Sequence, residues 1–164
     1  MSVNVFSQES KHQKHTSNHE KQESILLIGA GPTIELREQI LGVNGRFYYA
    51  NNEHFCFGPE ISIFPFQEVT EEEEVSIIDL NLNAHYIFEL GKGFGFYPLS
   101  GINYSIEKIR FLEEEEKEEE FGINYGVGFH YKWNKVFFFA EVKGIIGPLN
   151  DGFVTTGAII GLPL

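Results

Sequence analysis

The side chains able to do chemistry are six histidines, one cysteine and an excess of carboxylates, 24 Asp and Glu against 12 Lys and Arg. Cys56 has no partner for an internal disulfide and leaves no Cys-based zinc site. His12, His15 and His19 lie in a polar N-terminal stretch whose composition reads as a solvated tail rather than a metal site. Ser76, Asp79 and His85 are the residue types of a hydrolase triad, but the Gly-x-Ser-x-Gly turn that would expose the serine does not occur. Nor does a His-Glu-x-x-His zinc motif. Gly91-Lys-Gly-Phe-Gly95 has the glycines of a phosphate loop, yet fits a tight hairpin turn better. The expectation is a protein with no catalytic residue, no metal ligand and no cofactor.

The acid itself is concentrated. Glu71–Glu74 form one run, and Glu113–Glu120 form another, broken only by Lys117. These two runs carry nearly all of the net charge of -12, and the rest of the chain is close to neutral. That balance excludes a non-specific nucleic-acid binder, which needs a basic face. The runs read as self-repelling loop tips. Clustered carboxylates there would draw a divalent cation, whose preferred ligands are oxygens, or a basic partner.

Elements that position side chains are legible from Ser24 onward, where residues alternate with period two. Leu80, Leu82, Ala84, Tyr86 and Phe88 share one face of a segment, and Asp79, Asn81, Asn83 and His85 share the other. Phe121, Ile123, Tyr125, Val127, Phe129 and Tyr131 likewise oppose Gly122, Asn124, Gly126, Gly128 and His130. A helix, with period 3.6, cannot segregate residues in this way. Leu41, Val43, Phe47 and Tyr49 oppose Asn44 and Arg46; Phe57, Ile61 and Ile63 oppose Glu60 and Ser62; Phe138, Ala140 and Val142 oppose Glu141 and Lys143. With similar segments around Ile102–Ile106, Ser24–Pro32 and Phe153–Leu162, the pattern predicts eight strands in an all-β, antiparallel, up-and-down barrel. Short turns are expected at Asn51–His54, Gly91–Gly93 and Trp133–Lys135. Longer connections are expected at Thr33–Ile40, Gln67–Glu74, Lys108–Glu120 and Gly147–Gly152. Pro59 and Pro98 should each mark a bulge or a strand end.

Alternation alone leaves open which face points inward. Phe, Tyr and Ile in succession would crowd an eight-stranded interior, whereas Gly, Asn and Ser fit it. Aromatic residues also gather at the three short turns. Phe47, Tyr48, Tyr49, Phe55 and Phe57 flank the first, and Tyr86, Phe88, Phe94, Phe96 and Tyr97 the second. Phe129, Tyr131, Trp133, Phe137, Phe138 and Phe139 flank the third. With all short turns at one end, these rings make a belt of the kind found at a lipid–water boundary. Tyr49, Phe55, Phe57, Phe88, Phe96, Phe129, Tyr131, Trp133 and Phe138 are its expected members.

This strand rhythm and turn alternation resemble the small outer-membrane β-barrel (porin-like) family of Gram-negative bacteria. The resemblance covers about Ser24 to Leu164 and implies short periplasmic turns, longer external loops and export through a signal peptide. Residues 1–23 would then hold a signal-peptide remnant and a disordered linker ahead of a barrel domain spanning 24–164, with Met1 inside a longer reading frame. The expected fold is a transmembrane barrel in contact with outer-membrane lipid.

With the apolar face outward, Arg46, Glu60, Asp79, Asn81, Asn83, His85, Asn124, His130, Glu141 and Lys143 share a lumen. Buried charges are costly unless paired and hydrogen-bonded, so an interlocked polar network is expected. It serves either as a plug with a structural role or as a narrow, proton-sensitive ion path through His85 and His130. Two other functions compete with a structural or surface-interaction role. One is a soluble, lipocalin-like barrel holding an apolar small molecule. The other is an outer-membrane lipid-modifying enzyme.

Overall fold

The structure is a computed structural model, and it describes residues 24–71, 73–111, 114–147 and 151–164. The expected tail, with its histidines, lies outside the described residues. Nine strands follow in chain order: β1 (Ile25–Glu35), β2 (Leu41–Asn52), β3 (Phe55–Thr70), β4 (Glu73–Tyr86), β5 (Phe88–Gly91), β6 (Phe94–Phe111), β7 (Glu114–Trp133), β8 (Val136–Ile146) and β9 (Gly152–Pro163). Except for β4 and β5, strands consecutive in the chain pair antiparallel; β4 pairs with β6, and β9 returns to β1. β5 carries on the register of β4, because His85 faces Leu99 and Phe88 faces Phe96. The two are one stave interrupted at Ile87, so the barrel closes with eight staves.

The interruption falls beside Pro98, which has no N–H to give the ladder. The Ile87 N–H instead donates to the His54 carbonyl at 2.7 Å. Pro59 departs from expectation. It sits inside β3 opposite Leu82 with neither a bulge nor a strand end. Toward β2 the ladder passes from Arg46–Glu60 to Tyr49–Phe57 in one register without pairing Pro59. The missing donor thus faces β2, and the pairing there survives on the flanking residues.

The expected long connections at Gln67–Glu74 and Lys108–Glu120 are largely strand. β3 runs to Thr70 and β4 begins at Glu73; β6 runs to Phe111 and β7 begins at Glu114. Cross-strand pairs offset the repulsion that had suggested loops: Lys108–Glu115 at 3.1 Å, Arg110–Glu115 at 3.3 Å and Arg110–Glu74 at 2.9 Å. The β6–β7 hairpin, 18 and 20 residues long, stands well beyond the roughly 9–11 residues a strand needs to cross a bilayer.

Val43, Ile61, Leu82, Ile102, Ile123, Val127 and Val142 are exposed around the outside of the barrel. That apolar girdle excludes the soluble lipocalin-like arrangement, which buries this face. Tyr49, Phe55, Phe57, Phe88, Phe96, Phe129, Tyr131, Trp133 and Phe138 stand on the same outer face near the short turns, Tyr49 and Phe96 half-buried. Not every ring flanking the short turns joins them. Tyr48, Tyr97 and Phe139 are buried inside, because they share the parity of Arg46, Leu99 and Glu141 along their strands.

Those inward rings explain the lumen glycines. Gly128 lies directly opposite Tyr97, and a Cβ there would come within 2.2 Å of the ring. Gly95 lies opposite His130, where a Cβ would come within 2.3 Å. Each glycine makes room for a ring on the neighbouring strand. Gly128→Val is therefore expected to overpack the lumen and cost about 1–3 kcal/mol, read as a lower urea midpoint for protein folded into lipid vesicles. An unchanged midpoint would show that Tyr97 is free to move aside.

Candidate functional site

The ten polar side chains expected in the lumen are all buried there. Strand parity brings Arg46, Glu60, Glu141 and Lys143 to one level from β2, β3 and β8. Arg46 donates to Glu141 through Nη1 at 3.1 Å and Nη2 at 3.4 Å, and its Nη2 lies 3.7 Å from Glu60. Its Nε donates to Asn44 at 2.8 Å, and its guanidinium lies 4.0 Å over the Phe139 ring. Lys143 Nζ reaches Glu60 at 3.5 Å. Two carboxylates thus face two fixed cations.

Hydroxyls and amides complete the shell. Tyr48 and Asn83 donate to Glu60, and Tyr97 donates to Glu141 at 3.1 Å. With the Tyr48 O–H directed at Glu60, its oxygen accepts from His85 Nε2 at 3.1 Å, which assigns the Nε2–H tautomer. The His85 ring stacks on Tyr97 at 4.8 Å. One level further out, Asn124 donates to Asn81 at 2.9 Å and to Asn83 at 2.7 Å, while Asn103 donates to Asn81 at 2.9 Å and Asp79 at 3.3 Å. Ser105 donates to Asp79. His130 stands apart near the short turns, 3.7 Å from Glu89. Glu60, His85 and Glu141 place ligand-type atoms within 4.8 Å of one another. Arg46 and Lys143 already balance the two carboxylates, so this cluster is an internal ion-pair network rather than a metal seat.

Tyr48, Tyr97, Asn44, Asn103 and Ser105 were not among the expected network members. Their parity along the strands is the signal that would have included them. The triad types are not brought together. Asp79 and His85 are buried six residues apart on the lumen face of β4, whereas Ser76 has the opposite parity and donates to the Phe64 carbonyl at 2.9 Å.

Beyond the polar levels, toward the long hairpins, the lumen becomes apolar. Ile40, Phe64, Val75, Ile77, Ile145 and Phe153 form a packed layer. Above it, Arg37 in the connection after β1 reaches Glu107 at 2.7 Å, Asp151 at 3.2 Å and Glu38 at 3.0 Å. Glu35 accepts the N–H groups of Arg37 and Glu38, both at 2.6 Å, which pins that connection across the mouth.

Residues 2–144 match the family described as the outer membrane protein beta-barrel domain. The chain belongs to that family and is an outer-membrane β-barrel protein. None of the curated proteins matches it. Its fold is similar to that of Ail, the attachment invasion locus protein of Yersinia pestis, with 16% identity, a TM-score of 0.64 and 86% of this chain covering 99% of that one. It is similar also to the N-terminal β-barrel domain of OprF of Pseudomonas aeruginosa, with 16% identity, a TM-score of 0.69 and coverage of 86% and 98%. OprG of Pseudomonas aeruginosa gives 11% identity, a TM-score of 0.62 and coverage of 86% and 96%.

Asp151 lies in the connection before β9, outside the membrane-spanning strands. Burial pushes its carboxyl up from 3.8 to about 7, with Arg37 opposing and Glu35, Asp79 and Glu107 adding to the rise. A carboxyl raised on folding binds its proton more readily in the folded state. The stabilising effect of that proton is fully present below the unfolded value and is lost as pH rises through about 7. The urea midpoint of the protein is therefore expected to fall between pH 5 and pH 8. Asp151→Asn should flatten that fall, and an identical pH profile for the two proteins would refute the assignment.

Proposed function

We propose that the protein is a structural and surface-interacting barrel of the outer membrane, with a closed lumen and an acidic hairpin offered to cations or a basic partner. The observation that carries the closed lumen is the stacking of levels along the axis. The ion-paired level around Arg46 and Glu141 is followed by the amide level and then by the Phe64–Phe153 layer, whose rings pack at 5.7 Å. An ion crossing this path would have to displace salt-bridged side chains and then traverse an apolar layer, at a high desolvation cost. The role is non-catalytic: Ser76 lies on the opposite face of β4 from Asp79 and His85, so the triad types are not assembled.

The surface role rests on the β6–β7 hairpin. Glu115 and Glu119 share a face with Lys117 and are matched by Lys108, Arg110 and Lys117. Glu114, Glu116 and Glu118 share the opposite face, are exposed, and make no ion pair among the described residues. The hairpin therefore has a charge-matched face and an acidic one. One solved structure of Ail holds the heparin analogue sucrose octasulfate, a polyanion. The acidic face here favours the opposite chemistry, a divalent cation or a basic segment.

Reconstituted in planar bilayers, the protein is expected to give no discrete channel openings, and sustained stepwise conductance would overturn the closed lumen. In calorimetric titration, calcium is expected to bind with a dissociation constant on the order of 10⁻⁴–10⁻³ M. Glu114→Gln, Glu116→Gln and Glu118→Gln combined should weaken it several-fold. Binding that ignores these substitutions would move the surface role elsewhere.

A further inference from the structure

Strand β7 outruns the strand on one of its sides. It pairs with β6 from Glu114 onward, opposite Phe111, but with β8 only from Ile123 onward, opposite Ile146. Beyond that point β8 does not follow it, because the chain turns back and the Ile145 N–H donates to the Asp151 carbonyl at 2.8 Å. From Glu114 to Glu119, β7 therefore has a strand beside it on one side and, among the described residues, none on the other. A strand so placed directs backbone N–H and C=O groups at alternate residues away from its partner, where they are free to pair with another chain.

The other end of the same projecting sheet is closed differently. β3 outruns its pairing with β2 beyond Ile63, and there the Gln67 side chain accepts from the Leu41 N–H at 2.8 Å and donates to the Leu41 carbonyl at 2.7 Å. On β7 the side-chain bonds of Glu115 and Glu119 run to Lys108, Arg110, Lys117 and Tyr104, and none of them covers the edge.

Charge decides what this edge can accept. Glu114, Glu116 and Glu118 stand in a column on one face and are exposed. A second copy of the same edge would set carboxylate against carboxylate, and like charges directly opposite destabilise a strand pair. An incoming strand with lysine or arginine at every second residue does the reverse. Each cation then lies directly opposite a glutamate, at the roughly 4.5–5.5 Å Cβ spacing of a cross-strand pair. The other face of β7 is already charge-matched, so it asks only for small polar side chains between the cations.

We propose that the free edge of β7 from Glu114 to Glu119 docks an extended basic segment of a partner protein. The segment adds as one more strand and sets a cation at every second residue against Glu114, Glu116 and Glu118. This rests on the acidic face as the interacting surface and adds the mode and the pattern: backbone pairing supplies affinity, and side-chain alternation supplies specificity.

The protein in nanodiscs of zwitterionic lipid is titrated with a fluorescent, end-capped peptide in which lysine alternates with threonine, and anisotropy reads the binding against empty nanodiscs. An isomer with the same residues in two blocks carries equal charge but cannot match alternate glutamates. The alternating peptide is expected to bind about five- to tenfold more tightly. Glu114→Gln, Glu116→Gln and Glu118→Gln combined should weaken it and erase that preference. Hydrogen exchange read by mass spectrometry should slow across Glu114–Glu119 with the alternating peptide. Equal binding of the two peptides, or exchange in β7 that neither of them slows, overturns strand addition and leaves the acidic face as a surface of attraction. Absence of binding by either peptide, or binding that ignores the three substitutions, overturns the basic partner as well.

Discussion

Arg46, Lys143, Glu60 and Glu141 are charges taken out of water in the middle of a barrel whose outer wall faces lipid. Ions so placed are tolerated only when each is paired and its remaining donors and acceptors are met. Meeting them dictates much of the surroundings. Arg46 on β2 and Glu141 on β8 are separated by 95 positions in the chain, and they can meet only if β1 and β9 lie between their strands and join. The ion pair and the closure of the barrel therefore require one another. Tyr48 and Tyr97 must turn inward to supply hydroxyls, and an inward Tyr97 requires a residue without a Cβ across from it. Gly128 fills that requirement.

The same reasoning separates the lumen into parts with different tasks. At mid-depth, charge is balanced within the chain, and the amides of Asn81, Asn83, Asn103 and Asn124 link β4, β6 and β7. Toward the long hairpins an apolar layer and the Arg37 cluster close the mouth. Toward the short turns the wall residues become aliphatic and aromatic and leave a cavity. Outside the bilayer, the β6–β7 hairpin holds its extended form through lysine and arginine on one face, which leaves the acid of the other face turned toward solvent.

Much of the fold was legible because a membrane barrel is written in period two. The strand faces, the short turns and the antiparallel order follow from residues such as Leu80–Asp79 and Ile123–Asn124 without knowledge of register. Composition misleads where periodicity does not. The run Glu113–Glu120 looked like a loop because like charges repel, but strand partners across the hairpin neutralise part of it. Tyr48, Tyr97 and Phe139 flank the short turns but are not among the expected belt members, and their parity places them inside. The partners of each lumen residue were not legible, since Arg46 meeting Glu141 depends on stagger across three strands. Nor was the cavity at the short-turn end, because an unfilled volume leaves no mark on any single residue.

The central claim is that the buried pair Arg46–Glu141 holds the closed barrel together as a unit. A double-mutant cycle in lipid vesicles tests it most directly, using Arg46→Met, Glu141→Gln and the two combined, with unfolding free energies from urea titration. The account predicts that each single change costs about 3–5 kcal/mol, because each leaves a charge buried without its partner. It also predicts that the double variant is about as stable as either single one or more so. Additive losses in the double variant, or single changes that leave the midpoint where it was, would contradict it.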